Sequence, residues 1–114
     1  GDGHQTMDFV YIDDVAKANV LALQSDCDDD VINVASGRET SLRELAAALL
    51  KVMGATHLAP EYGPERSVNP VLRRLASTRK AEALLGFRAE VGLEEGPDRL
   101  VHWWQKNRPL EVTA

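Results

Sequence analysis

The chain has 114 residues, of which 44% are hydrophobic and 27% are charged, and its formal net charge at pH 7 is −5. This length fits one domain, and the composition excludes a chain that is disordered or fibrous as a whole. The acidic excess argues against nucleic-acid binding, and no apolar run comes near the roughly 20 residues of a membrane span. Because Cys27 is the single cysteine, which fits a reducing compartment, we expect a soluble, cytoplasmic protein.

The first third of the chain alternates strand and helix patterns. Residues 9–12, Phe-Val-Tyr-Ile, predict a strand, and the acidic pair Asp13 and Asp14 opens a helix that runs to about Gln24. A polar loop covers residues 25–30. The run Val-Ile-Asn-Val-Ala at residues 31–35 is typical of a strand buried on both faces.

The next helix carries clear start and stop signals. Ser41 and Glu44 form a Ser-x-x-Glu capping box ahead of the apolar positions, and Gly54 ends the helix. Residues 57–62 and 71–76 then predict two extended segments on either side of a loop at 66–70, which Gly63 and Pro64 introduce.

Two further helices follow. Ser77 caps a short helix that ends at Gly86, and the last helix starts near Gly96 because Pro97 is tolerated only in a first turn. The adjacent Trp103 and Trp104 point about 100° apart, so we expect one of them in the core. The elements predict a mixed α/β fold of about four helices and three to four short strands. We expect a single domain at residues 1–108 and a frayed tail at 109–114.

Four segments, in order, carry a family resemblance. The first segment is GDGHQTMDFVYIDDV at residues 1–15, and the second is VINVASG at 31–37 followed by SLREL at 41–45. The third is LASTRKA at 75–81 followed by LLGF at 84–87, and the fourth is LEEG at 93–96 followed by the tryptophan pair at 103–104. The series resembles the extended short-chain dehydrogenases, the NAD-dependent sugar-nucleotide epimerases and dehydratases, in their UDP-glucose 4-epimerase-like form. The resemblance implies the C-terminal, substrate-binding portion of such an enzyme, a small α/β domain without the Rossmann half, cut from a longer protein.

The sequence lacks the chemistry that the family's full-length members carry. No glycine-rich turn joins a strand to a helix, so we expect no cofactor-binding residue here, although the resemblance implies NAD for the whole enzyme. The implied catalytic Tyr-x-x-x-Lys pair is also absent. Its nearest approach, Tyr62 with Arg66, is interrupted by Gly63 and Pro64. We therefore expect no catalytic residue, no metal site and no turnover from this chain alone.

Three arginines are candidates for binding the diphosphate of a nucleotide sugar. Arg66, Arg73 and Arg74 lie close together in sequence, and a guanidinium binds phosphate through two parallel hydrogen bonds. Arg73 and Arg74 would point to opposite sides of a strand, so only one can face a ligand, and we favour Arg74. The alternative is that all three are ordinary solvated surface charges.

The resemblance adds three candidate positions. Arg66 and Asn69 match the spacing of an arginine and an acidic residue that hold diphosphate and ribose in the family. Met7 stands where the family has an arginine, next to the Asp-Phe pair that contains Phe9. Losing that arginine would weaken binding by one to two orders of magnitude unless Arg73 compensates.

Two functions therefore remain open. The first is a UDP-sugar-binding portion of an epimerase or dehydratase. The second is a non-catalytic stand-alone module for self-association or protein contact. Because residues 31–35 predict an uncovered apolar strand, we also expect a homo-oligomer that forms through this segment.

Overall fold

The computed structural model describes residues 1–68 and 71–109, and these form four helices and two very short strands. In chain order the elements are β1 (Thr6–Met7), α1 (Ile12–Gln24), β2 (Thr40–Ser41), α2 (Leu42–Val52), α3 (Arg79–Leu85) and α4 (Glu95–Asn107). The mixed α/β class and the four helices are confirmed. Asn69 and most of the predicted tail, residues 110–114, lie outside the described residues.

The two strands pair with each other. β1 and β2 are antiparallel, with Thr6 opposite Ser41 and Met7 opposite Thr40. On its other side β1 forms a single parallel bridge to Arg73, where the Thr6 amide donates to the Leu72 carbonyl at 3.0 Å. β1 therefore lies between β2 and the segment that precedes α3.

The helix signals in the sequence are confirmed. Ser41 accepts a hydrogen bond from the Glu44 amide while the Glu44 side chain accepts one from the Ser41 amide, so the capping box is formed. Gly54 and Gly86, with φ of 65° and 64°, adopt the left-handed conformation that ends α2 and α3. Thr78 precedes α3 without a side-chain cap, so the predicted Ser77 cap is wrong.

The predicted strand positions are also wrong. Residues 9–11 form the unpaired lead into α1, and segments 31–35 and 57–62 pair with no described strand. In the run at 31–35 the exposure alternates. Val31 is 85% exposed, whereas Ile32 and Val34 pack against the core, and Ala35 at the end of the run is buried as well. The segment is therefore covered on one side over residues 31–34 and on both sides only at its end. Segment 71–76 pairs only at Arg73.

The core lies between α1, α3 and the residues after α3. Ala18, Ala81 and Phe87 are each 1% exposed, and the two alanines let the helices approach closely around the phenylalanine ring. In α4 the buried side chains are Pro97 and Val101. Trp103 and Trp104 are 60% and 49% exposed, so the prediction of a core tryptophan is wrong.

A buried carboxylate fixes α1 to the chain that leads into α4. Asp14, 3% exposed, accepts hydrogen bonds from the amides of Glu90 and Val91 at 3.1 and 3.0 Å.

Among the described residues, no helix is both long and apolar enough to cross a membrane.

We predict that Asp14→Asn lowers the free energy of unfolding by about 1.5 to 3 kcal/mol. The asparagine side chain keeps one acceptor oxygen, but its NH2 group would face the second backbone N–H, and the charge is lost. Asp13→Asn is the matched control. Asp13 lies in the same helical turn but forms an exposed ion pair with Arg99, so its loss should cost less than about 1 kcal/mol. Urea unfolding followed by tryptophan fluorescence measures both, and equal losses would contradict this role for Asp14.

Candidate functional site

An open cavity of about 1060 Å³ lies beside β1 and the start of α2. Gln5 and Met7 reach it from the β1 segment, and Leu42, Arg43 and Ala46 reach it from α2. The irregular chain at residues 60–68 and Leu72 complete its wall. We call this space the β1–α2 cavity.

The cavity brings together two of the predicted site residues. Met7 and Arg66 both line it, although they are far apart in sequence. Arg66 belongs to the loop that the sequence predicted, and Met7 projects from β1 on the face opposite to Thr6. Asn69, the predicted partner of Arg66, lies outside the described residues.

The neighbouring arginines do not line the β1–α2 cavity. Arg73 Nε donates to Glu39 Oε1 at 2.7 Å, and the Thr6 hydroxyl donates to the same oxygen at 2.7 Å. Arg74 uses its amide to pair with the Thr6 carbonyl at 2.9 Å, and its exposed side chain is not part of the cavity wall. The preference for Arg74 over Arg73 thus gains no geometric support.

Glu39 is strongly acidic in this arrangement. The hydrogen bond from the Arg73 guanidinium, helped by that from Thr6, lowers the pKa of Glu39 from 4.5 to about 2. The same pair raises the pKa of Arg73. Arg73 is therefore engaged as a structural ion pair beside β1, and it cannot replace a missing arginine at residue 7 without breaking that pair.

Phe9 contributes to a different space. It lines a smaller cavity of about 360 Å³ between α2 and α4, whose wall also contains Leu45, Leu49, Pro97 and Leu100. This second cavity is mostly aliphatic and aromatic, with Arg38 and Glu39 at its edge. The structure therefore separates Phe9 from the cavity that holds Met7 and Arg66.

Arg43 and Tyr62 are cavity residues that the sequence analysis missed. Arg43 Cζ lies 4.8 Å from the centroid of the Tyr62 ring, and Arg43 Nε donates to the Asp2 carbonyl at 2.7 Å. Gly3 makes the approach possible, because its φ is +76° and a Cβ there would lie 2.8 Å from Arg43 Cγ. The sequence does not single out Arg43, because it lies between Ser41 and Glu44 of the capping box, where an arginine is an ordinary surface residue.

The turn at Gly3 does not fit the pyrophosphate of a dinucleotide cofactor. A pyrophosphate cradle needs open space above glycines that join a strand to a helix. The space above Gly3 is filled by Arg43 and Tyr62, and the element that follows is the strand β1. Tyr62 and Arg66 lie on non-helical chain, so their spacing of four residues does not place them on one face of a helix. The described residues also contain no cluster of three metal-ligating side chains.

The sequence is similar to a known family of enzymes. Residues 1–35 match the NAD dependent epimerase/dehydratase family. The chain is 38% identical over 105 residues to the UDP-glucose 4-epimerase of Mycolicibacterium smegmatis. The aligned residues cover 92% of this chain and 33% of that protein.

The fold is also similar to that of solved UDP-glucose 4-epimerases. The UDP-glucose 4-epimerase of Thermotoga maritima, solved with UDP-glucose, superposes with a TM-score of 0.86 at 36% identity over 93% of this chain and 33% of that one. The enzyme of Bifidobacterium longum, in complex with NAD+ and UDP, gives 0.81 at 27% identity over 93% of this chain and 32% of that one. The chain thus spans about a third of the length of the proteins it matches.

We predict that Arg73→Gln raises the pKa of Glu39 back toward 4.5, because the guanidinium is the main cause of its acidity. The pair stabilises the fold at pH values above 4.5, and this contribution is lost as the pH falls from about 4.5 to about 2. Carboxyl carbon NMR measures the titration.

Glu44 is the internal control for this titration. Hydrogen bonds from Ser41 lower the pKa of Glu44. The Glu44 pKa should therefore be the same in the Arg73→Gln variant as in the unaltered chain. An unchanged Glu39 pKa in the variant would contradict the ion pair.

Proposed function

We propose that this chain is the C-terminal, substrate-binding portion of an NAD-dependent nucleotide-sugar epimerase or dehydratase, and that its β1–α2 cavity binds a UDP-sugar-like ligand. The observation that carries the proposal is the similarity in fold and sequence, over 93% of the chain, to a UDP-glucose 4-epimerase solved with UDP-glucose. The four segments that resemble the family occur in the family's order, which supports the proposal that the chain is a C-terminal portion.

The cavity has the chemistry that such a ligand requires. Arg66 offers a planar guanidinium for two phosphate oxygens, and Met7 and Leu72 offer apolar surface. Glu61 and Glu65 also line the cavity, and their carboxylates can accept hydrogen bonds from sugar hydroxyls. A ligand with both an anionic and a hydroxyl-rich part fits this mixture better than a simple anion does.

The proposal gives the chain a binding role within a larger reaction. When bound to the whole enzyme, NAD would supply hydride acceptance and return, but the described residues hold neither a cradle for it nor a tyrosine–lysine pair. The described residues would bind the diphosphate, orient the sugar and shield part of it from water. The groups that exchange protons and hydride with the sugar would have to come from elsewhere in the protein.

We predict that the chain binds UDP-glucose and that Arg66→Ala weakens binding roughly ten- to hundredfold, since a charge-assisted hydrogen bond contributes about 1.5 to 3 kcal/mol. Binding should also weaken as salt rises. Isothermal titration calorimetry measures both effects.

Arg88→Ala is the matched control for the Arg66 variant. Arg88 is an exposed arginine that pairs with Glu82 near α3 and does not line the cavity, so its removal should leave affinity unchanged. No binding by the unaltered chain would contradict the proposal, and so would equal affinities of the Arg66 and Arg88 variants.

We also propose that the chain self-associates through residues 31–35. The amides of residues 32–35 donate no hydrogen bond to a described residue, although Ala35 is only 4% exposed. An extended segment with unpaired backbone groups and an exposed Val31 is suited to strand addition.

We predict that the chain forms a dimer or higher oligomer at tens of micromolar and that Val31→Lys shifts it to monomer, because lysine disfavours pairing of strand edges. Ile32 is unsuitable for this test because it packs against the core. Leu23→Lys is the control, since Leu23 is equally exposed, at 87%, but lies on α1. Sedimentation velocity measures the shift, and a monomeric unaltered chain would refute the proposal.

A further inference from the structure

Arg43 lies in the first turn of α2, and its side chain is unusually well held for an exposed arginine. Its amide donates to the Gly3 carbonyl at 3.1 Å, and its Nε donates to the Asp2 carbonyl at 2.7 Å. The guanidinium also lies over the Tyr62 ring, at 4.8 Å from the centroid. The cost of ordering a long, flexible side chain has therefore been met before any ligand arrives.

The charged end of Arg43 is not neutralised by these contacts. The bond to Asp2 is to a neutral carbonyl, and the two terminal Nη groups form no hydrogen bond with a described residue. The Arg43 charge contributes to the lowered pKa of the Asp2 carboxylate, after the hydrogen bond from the His4 amide, but the two groups form no ion pair within 4.0 Å. Arg73 and Arg99 differ, because their guanidinium groups bind the carboxylates of Glu39, Glu95 and Asp13. Arg43 thus presents a positioned guanidinium with free donors on the wall of the cavity that also contains Met7 and Arg66.

We propose that Arg43 is a second phosphate-binding residue of the β1–α2 cavity, and that Arg43 and Arg66 together bind the diphosphate of a nucleoside diphosphate ligand. The inference rests on the proposed function. Two planar donors from two different segments suit two linked phosphates, and neither is engaged by a described carboxylate. The Tyr62 ring supports Arg43 rather than acting on the ligand.

The acidic residues in the cavity do not reverse this assignment. Glu61 and Glu65 lie on the same loop as Tyr62, and neither forms an ion pair with Arg43 or Arg66 within 4.0 Å. The Asp2 carboxylate accepts the His4 amide at 2.9 Å. These groups lower the net positive charge, so we expect the cavity to prefer a nucleoside diphosphate over inorganic pyrophosphate.

The test compares UDP with uridine as probes in calorimetric titrations of the full chain. Arg43→Ala should weaken UDP binding roughly ten- to hundredfold but leave uridine binding unchanged, because only UDP carries the diphosphate. Arg43→Gln keeps a donor for the Asp2 carbonyl while removing the charge, so it should show the same selective loss if the fold of the alanine variant is disturbed. Arg38→Ala, at the edge of the smaller cavity, is the control and should bind UDP normally.

A rescue variant separates an electrostatic role from a structural one. Met7→Arg places a new guanidinium on the same cavity wall, so it should restore most of the UDP affinity in the Arg43→Gln background. Failure of the unaltered chain to bind UDP would overturn the proposed function itself. Normal UDP binding by both Arg43 variants, with a loss in Arg66→Ala, would overturn only the role of Arg43. A parallel loss of UDP and uridine binding without rescue would show that Arg43 is merely structural.

Discussion

The carboxylate of Asp8 accepts hydrogen bonds from the Ser36 amide, the Ser36 hydroxyl and the Gly37 amide, at 2.8, 2.5 and 2.9 Å. Asp8 directly follows β1, and residues 36 and 37 directly precede the turn into β2. This carboxylate therefore holds the two strands at the right distance for pairing, even though each has only two residues. The β1–β2 pair in turn fixes where α2 begins, and so it builds the wall of the cavity.

The alternation of side chains along β1 then divides the chemistry of the site. Thr6 points toward Glu39 and Arg73, where the ion pair closes one side. Met7 points the other way, into the cavity that Arg43 and Arg66 share. Because the pairing register decides which residue faces which side, a slip by one position would place Thr6 in the cavity and bury Met7 against the ion pair.

The sequence predicted local features better than long-range ones. The capping box at Ser41, the stops at Gly54 and Gly86 and the start of α4 near Gly96 all depend on residues within one or two helical turns, and all are confirmed. The strand at residues 31–35 is different, because a pattern of apolar residues cannot show whether a partner strand is present. Likewise, periodicity places Trp104 on the face of Pro97 and Val101, but the ring remains half exposed.

The same distinction applies to the site. Arg66 is a candidate from its guanidinium chemistry and from the family resemblance, Met7 from the resemblance alone, and the structure brings the two to one cavity. Arg43 and Tyr62 meet only because the Gly3 turn packs between segments that are distant in sequence, and no local pattern signals such a contact. The resemblance predicts Phe9 and Met7 for one site, but Phe9 lines the smaller cavity between α2 and α4 instead.

We propose that the β1–α2 cavity, rather than the apolar cavity around Phe9, binds the nucleotide sugar. Amide NMR spectra of the labelled chain, titrated with UDP-glucose, distinguish the two cavities. We expect saturable shifts centred on Gly3, Met7, Arg43, Tyr62 and Arg66, with little change at Leu45 and Leu49. Shifts centred on Phe9, Leu49 and Leu100, or none at saturating ligand, would contradict it.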